Sequence, residues 1–446
     1  MFFYSTNKQA PLASLEEVVI KGLASDKGLY MPEYIPVIDK SVIADLKNKS
    51  FQEIADIVAQ AFFGFDMDSQ ALSDIVYDTL SFETPVVFVH DNIYSLELFH
   101  GPTLAFKDVG ARFMARLLSY FVRRKRLDRE VNVLVATSGD TGSAVANGFL
   151  GVPGIHVFVL YPKNKVSPIQ ECQFTTLGEN ITALEIDGTF DDCQTLVKAA
   201  FVDDELNKQM MLTSANSINV ARFLPQTFYY FETYAQLDRM GKAGELVICV
   251  PSGNFGNITA GLFACKMGLP VKRFIAANNR NNVFFDYLKT GVYLPRPSVE
   301  TYANAMDVGD PSNFARILDL FGNSHEQIAT LISGCSYTNE QIIDIIRKVY
   351  HTHQYLLDPH GACGYQALVD YRLQPNETGL FLETAHPAKF KETVDKILNA
   401  NIDIPAKLQA FMKGEKKSVA LGRDYEGFKS YLKTDVRIVI GMDFLI

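Results

Sequence analysis

The sequence predicts an α/β fold, with mostly parallel sheets flanked by helices in two lobes and a mainly helical region ahead of them. Two observations predict it. Five short apolar runs rich in β-branched residues occur at 131–136 (VNVLVA), 155–160 (IHVFVL), 246–250 (LVICV), 271–276 (VKRFIA) and 379–382 (GLFL). Most lead into a turn of small residues and then a longer helical pattern, which is the signature of β-α-β units. The first 85 residues instead repeat apolar positions at helical spacing, at Leu15, Val18, Val19 and Leu23, and again at Phe51, Ile54, Ile57, Val58, Ala61 and Phe62. The expected divisions are a helical N-terminal region over 1–85, a smaller α/β lobe over 86–235 and a larger one over 236–446.

Composition bounds what such a protein does. The chain has 446 residues, 48% hydrophobic and 21% charged, enough for two or three domains with real cores. A net charge of −9 argues against a nucleic-acid partner, which needs a basic surface. The amino terminus lacks a basic stretch followed by a long apolar one, and no run is long enough to span a bilayer, so no membrane partner is expected. The six cysteines show no C-x-x-C spacing and read as reduced core thiols, which makes the cytoplasm the expected location. His351 and His353 diverge on a helix and lack a third ligand, so no metal site is expected. The basic run 123–126 reads as the solvated end of a helix.

Parallel sheets bind ligands at the carboxyl ends of their strands, and the candidate residues fall there. After 131–136 come Thr137, Ser138, Gly139, Asp140 and Thr141, a turn that points amides and hydroxyls at an anion with a helix behind it. It suits a carboxylate or a phosphate, and a tight turn with a Ser/Thr/Asp cap explains it equally well. After 246–250 come Gly253, Asn254, Phe255, Gly256 and Asn257, whose two glycines allow the close backbone approach of a phosphate cradle. The pattern is neither a P-loop nor a Rossmann fingerprint, so a nucleotide is not the natural ligand.

In HGPTLAFKDVGARFMARLL, Lys107 opens a helix, where the positive end of the macrodipole favours the neutral amine. A neutral amine beside Phe106 and Leu104 is what imine chemistry needs, although pairing with Asp108 would equally explain a lysine there. Thr384 follows the last strand, where its hydroxyl can donate to a ring nitrogen or cap the next helix.

Together these pieces resemble the fold-type II pyridoxal-phosphate enzymes. The whole chain resembles the threonine synthase family in particular, through GLASDKGLYMPEYIP at 22–36, HGPTLAFKD around Lys107, ATSGDTGSA at 136–144, NSINVAR at 216–222, PSGNFGN at 251–257, MDVGDPSNF at 306–314, DPHGA at 358–362 and ETAHPAKF at 383–390. Matches spread in order along the chain are far more specific than any one alone.

The resemblance implies that Lys107 carries pyridoxal 5′-phosphate, that Gly253 to Asn257 cup the cofactor phosphate, and that Thr384 meets the pyridine nitrogen. It places Ser138, Gly139 and Thr141 on the amino-acid carboxylate and Asp140 at the cofactor's edge. It makes Asn216, Ser217 and Arg222 the clamp for the substrate's own phosphate, which an arginine fork suits. Many fold-type II enzymes have Asn where this chain has Asp140; an aspartate there repels the cofactor's O3′ unless it is protonated or turned away.

The implied reaction takes O-phospho-L-homoserine and water to L-threonine and phosphate, with Lys107 as the base, lobe closure to keep water out and a monomeric enzyme. The nearest alternative is a phospho-lyase of the same fold that yields a 2-keto acid. A non-catalytic binding protein on the same scaffold is the more distant one. His360 and His386 lie within the matching motifs without an assigned role.

Overall fold

The structure is a computed structural model and describes residues 1–126 and 129–442; the last four residues of the expected 236–446 lobe lie outside the described residues. Two parallel sheets organise it. A five-stranded, all-parallel sheet runs in the order Val419–Leu421, Ile181–Ile186, Ile155–Pro162, Val131–Ala136, Met211–Ser214. A six-stranded sheet runs in the order Ile332–Ser336, Arg273–Asn278, Glu245–Pro251, Glu377–Glu383, Ile93–Glu97, Val86–His90, with only the last pair antiparallel. Every residue of Val131–Ala136, Ile155–Pro162 and Glu377–Glu383 is buried, which is why these strands read as continuous apolar runs.

In each sheet one central strand is a switch point. From Val131–Ala136 the chain steps to Ile155–Pro162 and on to Ile181–Ile186, whereas Met211–Ser214 pairs on the opposite side. From Glu245–Pro251 it steps to Arg273–Asn278 and Ile332–Ser336, whereas Glu377–Glu383 pairs on the opposite side. Connections that diverge open a crevice at the carboxyl ends of those strands. The segments beginning at Thr137, Ala215, Ser252 and Thr384 follow these four strands directly.

The sheets depart from the expected divisions of the chain. Residues 86–97, expected in the smaller lobe, form the edge hairpin of the six-stranded sheet, because Ile93–Glu97 pairs with Glu377–Glu383. Val419–Leu421, expected in the larger lobe, extends the five-stranded sheet through Leu184–Ile186. The N-terminal region has its expected helices at Leu15–Lys21 and Phe51–Phe63, and also a three-stranded antiparallel sheet of Ala13–Ser14, Phe2–Ser5 and Tyr30–Pro32.

Capping boxes at Ser14/Glu17 and Ser50/Glu53 start these two helices by satisfying their first amides. Phe63 packs on Phe113 of the helix Lys107–Lys125 with ring centroids 5.4 Å apart, and Phe62 lies 6.2 Å from Phe263 of the helix Gly256–Lys266. The N-terminal region thus braces the two helices whose first residues face the crevice.

All six cysteines are free thiols, and among the described residues no helix is long and apolar enough to cross a membrane. The ring of His353 stacks on His90 at 4.1 Å. Arg123 to Arg126 are exposed at the end of their helix, with Lys125 paired to Glu16 at 2.8 Å.

Candidate active site

The four strand-end segments and the start of the Lys107 helix line one cleft. Lys107, Ser138, Thr141, Asn216, Ser217, Arg222, Gly253, Asn254, Phe255, Gly256, Asn257 and Thr384 all line it. Most of these residues, far apart in sequence, meet because they follow the switch-point strands or the strands paired beside them, and the Lys107 helix closes the cleft.

Lys107 is held in place by its backbone. The amide of Phe106 donates to the Thr384 carbonyl at 2.9 Å, and the Lys107 carbonyl accepts from Arg222 Nη1 at 3.1 Å. Its side chain opens onto the cleft. Asp108 does not pair with it, being buried and holding the Thr103 amide at 2.9 Å and hydroxyl at 2.5 Å. Desolvation by the surrounding protein, helped by the nearby cations Lys389 and Arg222, pushes the Lys107 amine down to about 8 against the opposing pull of Asp140. A lysine poised near neutrality is the form that attacks a carbonyl.

The turn after Glu245–Pro251 presents a row of free backbone amides. Phe255 adopts φ 62° ahead of the 11-residue helix Gly256–Lys266 and offers no side-chain cap, while Asn257 Oδ1 accepts from the Ile258 amide at 2.9 Å. Among the described residues the amides of Asn254, Phe255, Gly256 and Asn257 have no acceptor. Uncapped amides at a helix N-terminus present concentrated positive potential.

The Asn257 side chain organises the turn from within, accepting from Ser252 Oγ at 3.0 Å and donating to the Pro251 carbonyl at 2.8 Å. Gly253 is packed so tightly that a Cβ there would stand 2.5 Å from the Ala305 carbonyl oxygen. Asn313 completes the wall, donating to Ser217 Oγ at 2.9 Å and to the Asn254 carbonyl at 2.9 Å.

The turn after Val131–Ala136 is built differently. Thr137 Oγ1 accepts from the Gly139 amide at 2.9 Å and the Gly142 amide at 2.7 Å, so part of the turn caps itself. The amides of Ser138, Asp140 and Thr141 have no acceptor among the described residues. Gly139 and Asp140 stand behind the turn and do not line the cleft wall. A Cβ on Gly139, whose φ is +138°, would meet the Gln170 side chain at 2.6 Å. The Asp140 carboxylate is buried against Lys389 Nζ at 2.7 Å and Gln170 Nε2 at 2.8 Å. Burial alone would raise its pKa; Lys389 and then Lys107 outweigh that and hold it well below the usual carboxylate range.

Arg222 is buried with Nε on the Ala215 carbonyl at 2.7 Å, and no hydrogen bond engages its Nη2 among the described residues. Burial lowers its pKa to about 10, leaving it charged at neutral pH. Asn216 Nδ2 donates to the Ala136 carbonyl at 3.2 Å, joining the ends of neighbouring strands.

Several cleft residues escaped the sequence reading. Phe190, Gln226, Asn304, Ala305, Met306, Val308 and His360 also line it. His360 accepts from the Ala305 amide at 3.1 Å through Nε2 and meets Asp358 through Nδ1 at 2.5 Å, which fixes its tautomer and the 304–306 segment. The Gln226 and Asn304 side-chain oxygens are buried without a partner, as atoms waiting on a bound group are. Lys389 and His360 lay inside matching motifs. His386 caps the short turn Pro387–Phe390 at 3.1 Å, and burial pushes its pKa down to about 4.

A depressed lysine facing a cup of free amides, with a hydroxyl at a third strand end, fits a phosphorylated aldehyde. The family model described as pyridoxal-phosphate dependent enzyme matches residues 82–381. Fold and cleft thus define a pyridoxal-phosphate-dependent enzyme of fold type II, and its cofactor is pyridoxal phosphate.

Two further family models, threonine synthase N terminus and threonine synthase, C-terminal, match residues 2–80 and 361–432. A threonine synthase from Haemophilus influenzae is 43% identical over 432 residues, covering 97% of this chain and 99% of its own. The crystal structure of threonine synthase from Escherichia coli superposes with a TM-score of 0.92 at 41% identity, covering 98% of this chain and 100% of that one. The crystal structure of PLP-bound threonine synthase from Brucella melitensis does so with a TM-score of 0.90 at 33% identity, again covering 98% and 100%. The chain belongs to the threonine synthase family.

Proposed function

We propose that the chain converts O-phospho-L-homoserine and water to L-threonine and inorganic phosphate, as a monomer in the cytoplasm. The observation that carries this reading is a second anion-binding group in the cofactor cleft. Arg222 stands beside Lys107 with Nη2 unengaged, next to Ser217 and Asn216, while a separate cup of free amides is available to the cofactor.

Pyridoxal phosphate supplies the electron sink that takes up the charge left at Cα. Lys107 would carry the cofactor, and its Nζ then moves protons one at a time, a task for which an amine lowered to about 8 is suited. It takes one from Cα and gives it up before taking one from Cβ, and a proton returned at Cγ once phosphate has left makes the methyl group. The amides of Gly253 to Asn257 would hold the cofactor phosphate. Thr384 Oγ1 would meet the pyridine nitrogen, where a hydroxyl, unlike a carboxylate, would leave that nitrogen largely unprotonated.

Ser138 and Thr141, with the unengaged amides of their turn and the backbone of Gly139, hold the substrate carboxylate. Asn216, Ser217 and Arg222 stabilise the departing γ-phosphate, to which Arg222 brings charge-assisted hydrogen bonds. Asp140 acts from behind the turn on the cofactor side. Closure of the lobe bearing Ser138 and Thr141 keeps water out until it is needed at Cβ.

The test is Arg222→Ala with product analysis. The expected result is a fall in kcat/KM for the phosphorylated substrate of about 100-fold or more, as for loss of a charge-assisted contact to a transition-state anion, with cofactor loading nearly unchanged. Equal loss of both refutes the clamp. Wild-type product should be threonine and phosphate in equal amounts, and a 2-keto acid in its place would establish the phospho-lyase instead. Sedimentation at micromolar concentration checks the monomer.

A further inference from the structure

Asp140 poses an electrostatic problem. A carboxylate buried beside the cofactor lysine is costly unless a cation meets it, and the nearest functional cation is Lys107 itself. An Asp140–Lys107 pair would hold the lysine protonated and useless for attachment.

The structure supplies another cation. Lys389, on the turn Pro387–Phe390 that follows Thr384, is fully buried and places Nζ 2.7 Å from Asp140 Oδ1. It is fixed from three sides: Asp140 is one, the Thr103 carbonyl at 2.9 Å is the second, and Ser167 Oγ, which donates to the Lys389 carbonyl at 2.9 Å, is the third. Gln170 Nε2 reaches the same carboxylate oxygen at 2.8 Å. Asp140 therefore spends its charge on a lysine of the opposite strand end.

We propose that Lys389 is a positioning residue of this active site, whose ammonium occupies Asp140 and so leaves the Lys107 amine free to attach the cofactor. The inference rests on the reading in which Lys107 is the attachment residue.

The charges facing Lys107 come from four elements: Asp140 from the helix Asp140–Phe149, Lys389 from Pro387–Phe390, Arg222 from Val220–Phe223 and Asp358 from the start of Pro359–Tyr371. Asp108 on its own helix is spent on Thr103. Lys389 is itself faced by Asp140, Asp108, Cys172 and His386. Asp140 raises the Lys107 pKa while Lys389 and Arg222 lower it, so removing Lys389 both deletes a lowering charge and unmasks a raising one. Both changes push in the same direction.

The experiment follows the rate at which added pyridoxal phosphate attaches to Lys107, trapped with borohydride, against pH in the full-length protein freed of its cofactor, after the trapping has located the label in the wild type; the midpoint of that profile reports the free amine. Lys389→Met, which fills a similar volume, should move the midpoint up by about one pH unit or more, the scale of one nearby charge. Asp140→Asn should move it down, because Lys389 is then unopposed. Asp140→Asn/Lys389→Met, with neither charge, should return to within about half a unit of wild type.

A purely packing role for Lys389 would leave the double variant as displaced as Lys389→Met, and that result overturns the proposal, as do unmoved midpoints in both single variants. If Lys389→Met does not fold, Asp140→Asn against the double variant decides: a downward shift abolished by the second substitution supports the proposal, and no difference overturns it. A wild-type label away from Lys107 overturns the underlying reading, whereas a label on Lys107 with unmoved midpoints overturns this inference alone.

Discussion

The two glycine-bearing turns that face Lys107 follow equivalent strands, yet they are completed in different ways. The turn at 252–257 is completed by neutral groups. Asn257 ties it to Ser252 and Pro251 from within, Asn278 and Asn313 donate to the Ser252 and Asn254 carbonyls from elsewhere in the chain, and no charged side chain belongs to it. The turn at 137–142 has a comparable internal tie in Thr137, but it also carries Asp140, whose carboxylate is held by Lys389 and Gln170 from elsewhere in the chain. The first turn needs only neutral partners; the second carries a buried charge that a distant cation must balance.

This contrast can be broken at several points. The largest effect should come from Gly253→Ala. Its Cβ would stand 2.5 Å from the Ala305 carbonyl, a backbone atom that cannot swing aside. Equilibrium dialysis should show cofactor affinity falling about 100-fold, or about 3 kcal/mol, within the range for a strained core site. Thr137→Val should instead cost stability. It strands two amides now bound to one hydroxyl, and thermal unfolding should report a loss of about 2–3 kcal/mol with cofactor affinity changed only a few-fold.

Asn257→Ala should be the mildest. The loss of three turn hydrogen bonds should weaken cofactor binding by about tenfold, roughly 1.4 kcal/mol, with little change in KM for the phosphorylated substrate. If Asn257→Ala damaged substrate binding as much as Thr137→Val damages stability, the division between the two turns would fail.

The same contrast separates what the sequence made legible from what it did not. The five strands it announced are buried on both faces, so their apolar runs stand out. Val86–His90 (VVFVH) is as apolar as the announced runs but leads into a hairpin and not into a small-residue turn and helix, while the short strand Val419–Leu421 carries little signal and its pairing with Leu184 joins distant parts of the chain. The N-terminal strands escaped for a related reason, being only two to four residues long among strong helical patterns.

At the site, Lys107, Thr384 and the two turns were readable because strand, turn and helix are adjacent in sequence. Lys389 was not, because a surface lysine and a buried counterion look alike until the partner is known. His360 was hidden similarly; its task is to hold the Ala305 amide, a backbone contact no spacing encodes.

Lys107 also sets a pH dependence whose sign can be worked out. With its folded-state pKa lowered from 10.5 to about 8, the amine is charged below that value. In cofactor-free protein the buried charge opposes folding most fully below about pH 8. The unfolded chain keeps a proton that the folded chain has released between about 8 and 10.5, so stability from this group rises with pH across that window.

The most direct test of the account uses the same amine. Cofactor-free protein is mixed briefly with pyridoxal phosphate at a series of pH values, reduced with borohydride and digested, and the labelled lysine is located by mass spectrometry. The account predicts a label on Lys107 whose rate of appearance climbs with pH and levels off above about 8. A label on another lysine, or a rate on Lys107 that keeps climbing to the ordinary lysine value of about 10.4, would contradict it.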